Sequence, residues 1–225
     1  ASDVYKRQSA ACSGFITALD IAASMLKAGS YKYALVIGSE KMSEIVNWKD
    51  RSVCVLFGDG AGAVVLKAVD NNTEDVTGAL VGHERGIIDS NIYNDGTGAS
   101  VLTGGRRFSD SCSTDIFIHM DGQEVFKFAV KSVPTAIETL LHNNNMDIND
   151  VDKFILHQAN VRIIESVAKR LKADKDKFPV NLNEYGNTSS ASIPILLDEL
   201  NRNGSLKQGA VSYTHLRAHE TPEHL

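Results

Sequence analysis

An α/β fold is predicted by two features of the chain: short apolar runs of strand length alternate with segments of helical period, and turns of small or polar residues join them. A third feature recurs at least twice. A strand and turn deliver a chemically versatile side chain to the start of a helix, at the kind of sheet edge where open α/β folds build sites.

The elements follow in order. The stretch SAACSGF (residues 9–15) sets Cys12 among small residues just where helical spacing begins. Phe15, Leu19, Ala22, Ala23 and Leu26 fall on one helical face, and Gly29 supplies a stop. YKYALVIGSE (31–40) is an apolar run predicted as a buried strand ending at Gly38. DRSVCVLFGDGAGAVVLKAV (50–69) predicts two strands, 53–57 and 61–69, joined at Gly58-Asp59-Gly60, where small residues allow a sharp turn or close approach to a ligand. From 70 to about 115 the chain is rich in Asn, Asp, Ser, Thr and Gly and reads as long excursions.

EVFKFAVKSVPTAIETLLHNN (124–144) is helical through Val125, Phe128, Ala129, Val133, Ile137 and Leu140, with Pro134 expected to kink or split it. DKFIL (152–156) is a strand, HQA a turn, and NVRIIESVAKRL (160–171) a helix with Asn160 as N-cap. KFPVNLNEYGNTSSAS (177–192) reads as strand then loop. SIPILLDELNRNG (192–204) is a helix with Pro194 in its first turn and Gly204 past its end.

The two ends read differently. ASDVYKRQ (1–8) and VSYTHLRAHET (211–221) resemble translations of the transposon adapters used to build sequencing libraries. Residues 1–8 and 211–225 are therefore expected to be non-native, and the fold expectations rest on 9–210. The rest divides into 9–115 and 116–210.

Composition narrows the function. At 43% hydrophobic the chain can bury a substantial core. A net charge of −5 offers no broad basic footprint, which argues against nucleic acid. The three cysteines, Cys12, Cys54 and Cys112, lack metal spacing and form no disulfide framework. No apolar run reaches the roughly 20 residues that span a bilayer. The default compartment is the cytoplasm.

Three residues carry candidate chemistry. Cys12 at a helix start meets unpaired N–H groups and the positive end of a dipole, which favour a thiolate. His157 in ILHQAN follows a strand directly, and Asn187 in EYGNTSSAS precedes a helix. By themselves these residues leave structural roles open: a tightly packed cysteine, a core histidine, a turn asparagine.

Taken together, AACSGF, FGDGAGAVVL, GQEVFKFAV, HQANVRII and YGNTSSASIP resemble, in that order, the β-ketoacyl-acyl-carrier-protein synthase III family, the FabH-like condensing enzymes of the thiolase superfamily. The resemblance implies a layered αβαβα thiolase-like fold, incomplete here at both ends. It implies decarboxylating condensation of an acyl-CoA starter with malonyl-acyl-carrier protein, initiating fatty acid synthesis, with no cofactor beyond these substrates. Cys12 would be the acylated nucleophile; His157 and Asn187 would stabilise the charge that develops on the malonyl thioester. Arg51 matches a residue at the adenine end of CoA, and Phe126, Ala159 and Asn160 match residues lining the pantetheine channel. Phe57 would face the acyl pocket; Lys127 and Arg162 match positions where an acidic carrier protein docks.

The family further implies a homodimer. A chain without the family's residues before the cysteine and the glycine-rich strand after 209 is expected to catalyse poorly or not at all. Three alternatives stand beside this reading. Relatives with the same triad serve polyketide, alkyl-quinolone or hydrocarbon synthesis. Papain-like cysteine hydrolases share the order Cys, His, Asn, but want C-G-S-C-W where this chain has A-A-C-S-G-F. Non-catalytic thiolase-fold subunits would be expected to have lost a member of the triad.

Overall fold

The computed structural model describes residues 6, 10–69, 86–104, 117–207 and 210–215. Cys112 and most of the 70–115 excursion lie outside them. A 3₁₀ turn, Ala11–Ser13, runs directly into helix α1 (Gly14–Lys27), which buries Phe15, Ala23 and Leu26. The chain turns at Gly29, φ +77°, a left-handed conformation that costs glycine nothing. Strand β1 (Tyr33–Glu40) then pairs antiparallel with β2 (Gly60–Lys67), Val36 opposite Val64 and Gly38 opposite Gly62.

Two expectations fail in this part. β1 is not buried on both sides: Val36 packs inward with Val64 and Leu66, whereas Leu35, Ile37 and, on β2, Val65 are 62%, 56% and 69% exposed. Residues 53–57 are not a strand. The N–H groups of Val53 and Cys54 return to the Asp50 carbonyl (3.2 and 2.9 Å), and the Asp50 carboxylate accepts from Ser52, so this polar start closes turns before a ladder can form.

After a two-residue ladder, β3 (Leu102–Thr103) with β4 (His119–Met120), comes helix α2 (Gly122–Asn143), capped by the Asp121 side chain. Pro134 does not split it. Its buried ring lies in the packed face, and the Val130 carbonyl, which position 134 cannot serve, accepts from Arg170 at 3.5 Å.

Strand β5 (Lys153–Leu156) leads to α3 (Val161–Leu171), where Asn160 accepts from the Arg162 N–H at 2.8 Å as its N-cap. No strand follows. Pro179 has no N–H to offer, the Asn181 N–H goes to the Gln158 side chain, and the Glu184 and Tyr185 N–H groups return to the Asn181 carbonyl, so residues 182–185 make the single helical turn α4 (Leu182–Tyr185). Helix α5 (Ser192–Arg202) carries Pro194 near its start and ends before Gly204, φ +74°.

The adapter-like tail is not inert. Ser212–His215 forms β6, parallel to β5, with Tyr213 opposite Phe154. Tyr213 is buried and tilts onto Phe154 at 6.1 Å, while Phe154 stacks on Phe178 at 4.7 Å. A β-branched and aromatic run suits a vacant edge whatever its origin.

β5 lies between two cores. Phe154 and Leu156 join α2, α3 and Tyr213; Ile155 points the other way, into Phe15, Val36, Ile193, Leu196 and Leu200. The layers therefore run α2 with α3, β5–β6, α1 with α5, then β1–β2, in the thiolase-like order. The core around Ile155 knits residues from both halves of the chain.

Candidate active site

The site is organised by one segment, residues 187–192. Its 3₁₀ turn, Ser189–Ala191, packs against the turn Ala11–Ser13 that carries Cys12. Both turns hold a non-glycine residue in the left-handed region, Ala11 at φ +39° and Ser189 at φ +50°. Such conformations persist where surrounding contacts enforce them. The enforcement is visible: a Cβ on Gly38 would stand 2.7 Å from the Ser190 carbonyl oxygen, and the Ser190 hydroxyl donates to the Glu40 carboxylate at the end of β1. Cys12 is half-buried, one residue before the N-cap of α1.

Asn187 is fixed on both sides. Its N–H donates to the Leu56 carbonyl (2.8 Å) and its carbonyl accepts from the Gly58 N–H (3.0 Å), a bridge between Phe57 and Asn187. The glycine turn thus approaches chain: a Cβ on Gly58 would lie 2.0 Å from the Tyr185 carbonyl oxygen. Asn187 is 7% exposed, and its Oδ1 accepts from the Ser189 N–H at 2.9 Å. That leaves its amide N–H₂ without a partner among the described residues.

His157 stands at the C-terminal end of β5, its Nδ1 2.7 Å from the Ser192 hydroxyl. Burial pushes its pKa down from 6.5 to about 4, so the ring is neutral at neutral pH. Nε2 has no partner among the described residues. The adjoining Gln158 is fully buried and ties three segments together: its Nε2 donates to the Leu156 and Pro179 carbonyls (2.8 and 3.4 Å), and its Oε1 accepts from the Asn181 N–H (3.2 Å). Asn181 and Tyr185 in turn donate to Glu199 of α5, at 2.7 and 2.6 Å.

The remaining candidates are dispersed. Arg51 is exposed in the turns after Asp50, and Phe57 is half-buried against Met42, Val53 and Ile118. Phe126 is half-buried on α2; Lys127 is exposed and paired with Glu124 at 2.6 Å. Ala159 and Asn160 are half-buried before α3, Asn160 spending its Oδ1 on the cap, and Arg162 is exposed. A cleft of about 640 Å³ lies between Asp50, Val101, His119 and the first turn of α2. It adjoins Arg51 and Phe126 in sequence, and no triad member lines it.

Cys54 is half-buried and, like Cys12, outside any disulfide. Among the described residues no group of His, Cys, Asp and Glu is placed to hold a metal, and no helix is long and apolar enough to cross a membrane. Sequence reasoning missed Ser192, Gln158 and Glu40. A glutamine directly after a candidate histidine was the available signal.

Comparison with known proteins gives a consistent picture. Residues 8–96 match the family described as 3-oxoacyl-[acyl-carrier-protein (ACP)] synthase III, and residues 141–214 match its C-terminal part. A β-ketoacyl-[acyl-carrier-protein] synthase III of Clostridium acetobutylicum is 45% identical over 207 residues, covering 89% of this chain and 60% of that protein. The crystal structure of 3-oxoacyl-[acyl-carrier-protein] synthase III from Aquifex aeolicus VF5 superposes with a TM-score of 0.79 at 43% identity, over 92% of this chain and 61% of that one. The priming β-ketosynthase from the R1128 polyketide biosynthetic pathway superposes with a TM-score of 0.73 at 32% identity, over 88% of this chain and 57% of that one. The chain spans about 60% of the length of the curated relatives it matches.

Proposed function

Because this chain belongs to the 3-oxoacyl-[acyl-carrier-protein] synthase III family, we propose that it carries the catalytic centre of a decarboxylating condensing enzyme that starts fatty acid synthesis. One observation supports this above the others: a neutral imidazole and a buried amide each keep a polar nitrogen without a partner among the described residues, and both are tied to the segment that packs on the Cys12 turn.

The steps follow from these groups. The Cys12 thiolate attacks the carbonyl of an acyl-CoA, the C–S bond to CoA breaks, and CoA leaves as a thiolate that takes a proton from solvent, so the acyl group rests on Cys12 as a thioester. Malonyl-carrier protein then loses CO₂. The electron pair of the broken C–C bond moves toward the carrier thioester, and His157 Nε2–H and Asn187 Nδ2–H hold the oxygen that gains the charge. An imidazolium would be consumed as an acid; a neutral donor stabilises the enolate without trapping it. The carbanion attacks the acyl-Cys12 carbonyl, Cys12 departs as thiolate, and a β-ketoacyl carrier protein is released.

On this reading Arg51 holds the adenine end of CoA, and Phe126, Ala159 and Asn160 line the pantetheine path. Phe57 faces the acyl chain, and Lys127 and Arg162 meet the acidic carrier protein. The whole enzyme would act as a cytoplasmic homodimer needing no cofactor. The likeness to a priming polyketide ketosynthase favours, as the second reading, the same chemistry serving a secondary pathway.

Asn187→Ala tests the assignment in the protein translated from the full reading frame containing residues 9–210. CO₂ release from malonyl-carrier protein should fall roughly 10²–10³-fold, with acylation of Cys12 unchanged. Undiminished CO₂ release would remove Asn187 from the site.

A further inference from the structure

We infer that Ser192 is a positioning residue that fixes His157 in the tautomer carrying its proton on Nε2. The purpose of that tautomer rests on the function proposed above; its existence does not.

Ser192 is 3% exposed, and its hydroxyl oxygen faces two nitrogens: the Gln158 backbone N–H at 3.4 Å and His157 Nδ1 at 2.7 Å. A backbone N–H only donates, so Ser192 Oγ accepts there. Its single proton then has one partner among the described residues, Nδ1. A ring nitrogen that accepts carries no proton, and burial keeps the ring neutral, so the proton sits on Nε2. The opposite arrangement, with Nδ1–H donating to Oγ, would make Oγ accept twice and leave the Ser192 hydroxyl proton buried without an acceptor among the described residues.

The arrangement is rigid because its parts are. Gln158 is held through its side chain to Leu156, Pro179 and Asn181, and Ser192 begins α5, whose Ile193 and Leu196 lie in the core. Ser192 follows Asn187 by five positions in one continuous segment. That segment therefore presents one donor, the Asn187 amide, and orients the other through Ser192.

Side-chain ¹H–¹⁵N correlation spectra of the 225-residue chain at neutral pH read the tautomer without any turnover. His157 should show a protonated Nε2 and an acceptor-type Nδ1. A protonated Nδ1 would overturn the inference, and this measurement needs no variant. Ser192→Ala should bring in the Nδ1–H form, and Ser192→Thr, which keeps the hydroxyl, should retain the Nε2–H form. An unmixed Nε2–H spectrum from Ser192→Ala would also overturn it. In the protein from the full reading frame, Ser192→Ala should slow CO₂ release by roughly 10–100-fold, less than outright loss of a donor, and leave Cys12 acylation unchanged. Equal slowing of acylation would assign Ser192 a merely structural role. Absence of CO₂ release from the unaltered protein would contradict the proposed function and leave the tautomer result standing.

Discussion

The two strand pairs beside the site are built to different plans. β5–β6 is short, parallel and enclosed: Phe154, Ile155 and Leu156 are all buried, with α2 and α3 on one face and α1 and α5 on the other. β1–β2 is twice as long and antiparallel, and the described residues cover one of its faces; Leu35, Ile37 and Val65 stand exposed on the other. Both read as apolar runs, FIL and YALVI. The difference teaches that an apolar run reports a strand without reporting how many of its faces are covered. It also places two of the candidate residues unequally. His157 follows the enclosed strand directly, while Cys12 belongs to a turn whose helix packs on the half-open pair.

The strongest way to break this contrast is Phe154→Ala. Removing a fully buried ring that stacks on Phe178 should lower unfolding free energy by about 3–5 kcal/mol in urea titrations. A loss below about 1 kcal/mol would mean that β5 is not enclosed.

A smaller effect should come from pH. The folded pKa of His157, about 4, lies below the ordinary 6.5 because burial disfavours the charged ring. As pH falls, the unfolded chain takes up this proton first. The stability is therefore fully present above pH 6.5 and is lost as pH falls toward 4, by on the order of 3 kcal/mol. His157→Gln should remove that part of the acid loss, read as the difference between two stability–pH curves; parallel curves would contradict the burial of the ring. The smallest effect belongs to the open face. Leu35→Thr should change stability by less than about 0.5 kcal/mol in the same titration, and a change above 2 kcal/mol would show that this face is covered in solution.

Much of the fold was legible where local chemistry and tertiary packing agree. α1 buries its predicted face, α3 and α5 form where helices were expected, and Asn160, Gly29 and Gly204 stand where cap and stop chemistry put them. The failures share a cause. Residues 53–57 and the stretch that begins at 177 have strand composition, but Asp50 and Asn181 draw nearby N–H groups into turns, and Gln158 reaches 23 residues to take another. Pro134 sits in an unbroken helix with its ring in the buried face, and Arg170, 36 positions on, reaches the carbonyl of Val130. The tail looked foreign and still pairs with β5, since an edge selects for backbone and shape.

Of the candidate site, the residues that would do chemistry stand out in the sequence and their supports do not. Cys12, His157 and Asn187 are recognisable by residue type and motif. Ser192 is one of several small polar residues in NTSSAS, and no period in that run tells which hydroxyl turns inward. Its role depends on the distance between the end of β5 and the start of α5, which only the packed fold sets.

The most direct test of the central claim is the intact mass of the protein from the full reading frame after incubation with acetyl-, isobutyryl- or octanoyl-CoA and no carrier protein. The account predicts a single acyl adduct that maps to Cys12 and disappears in Cys12→Ser. An adduct that survives in Cys12→Ser, or no adduct from the folded protein with any of the three donors, would contradict it.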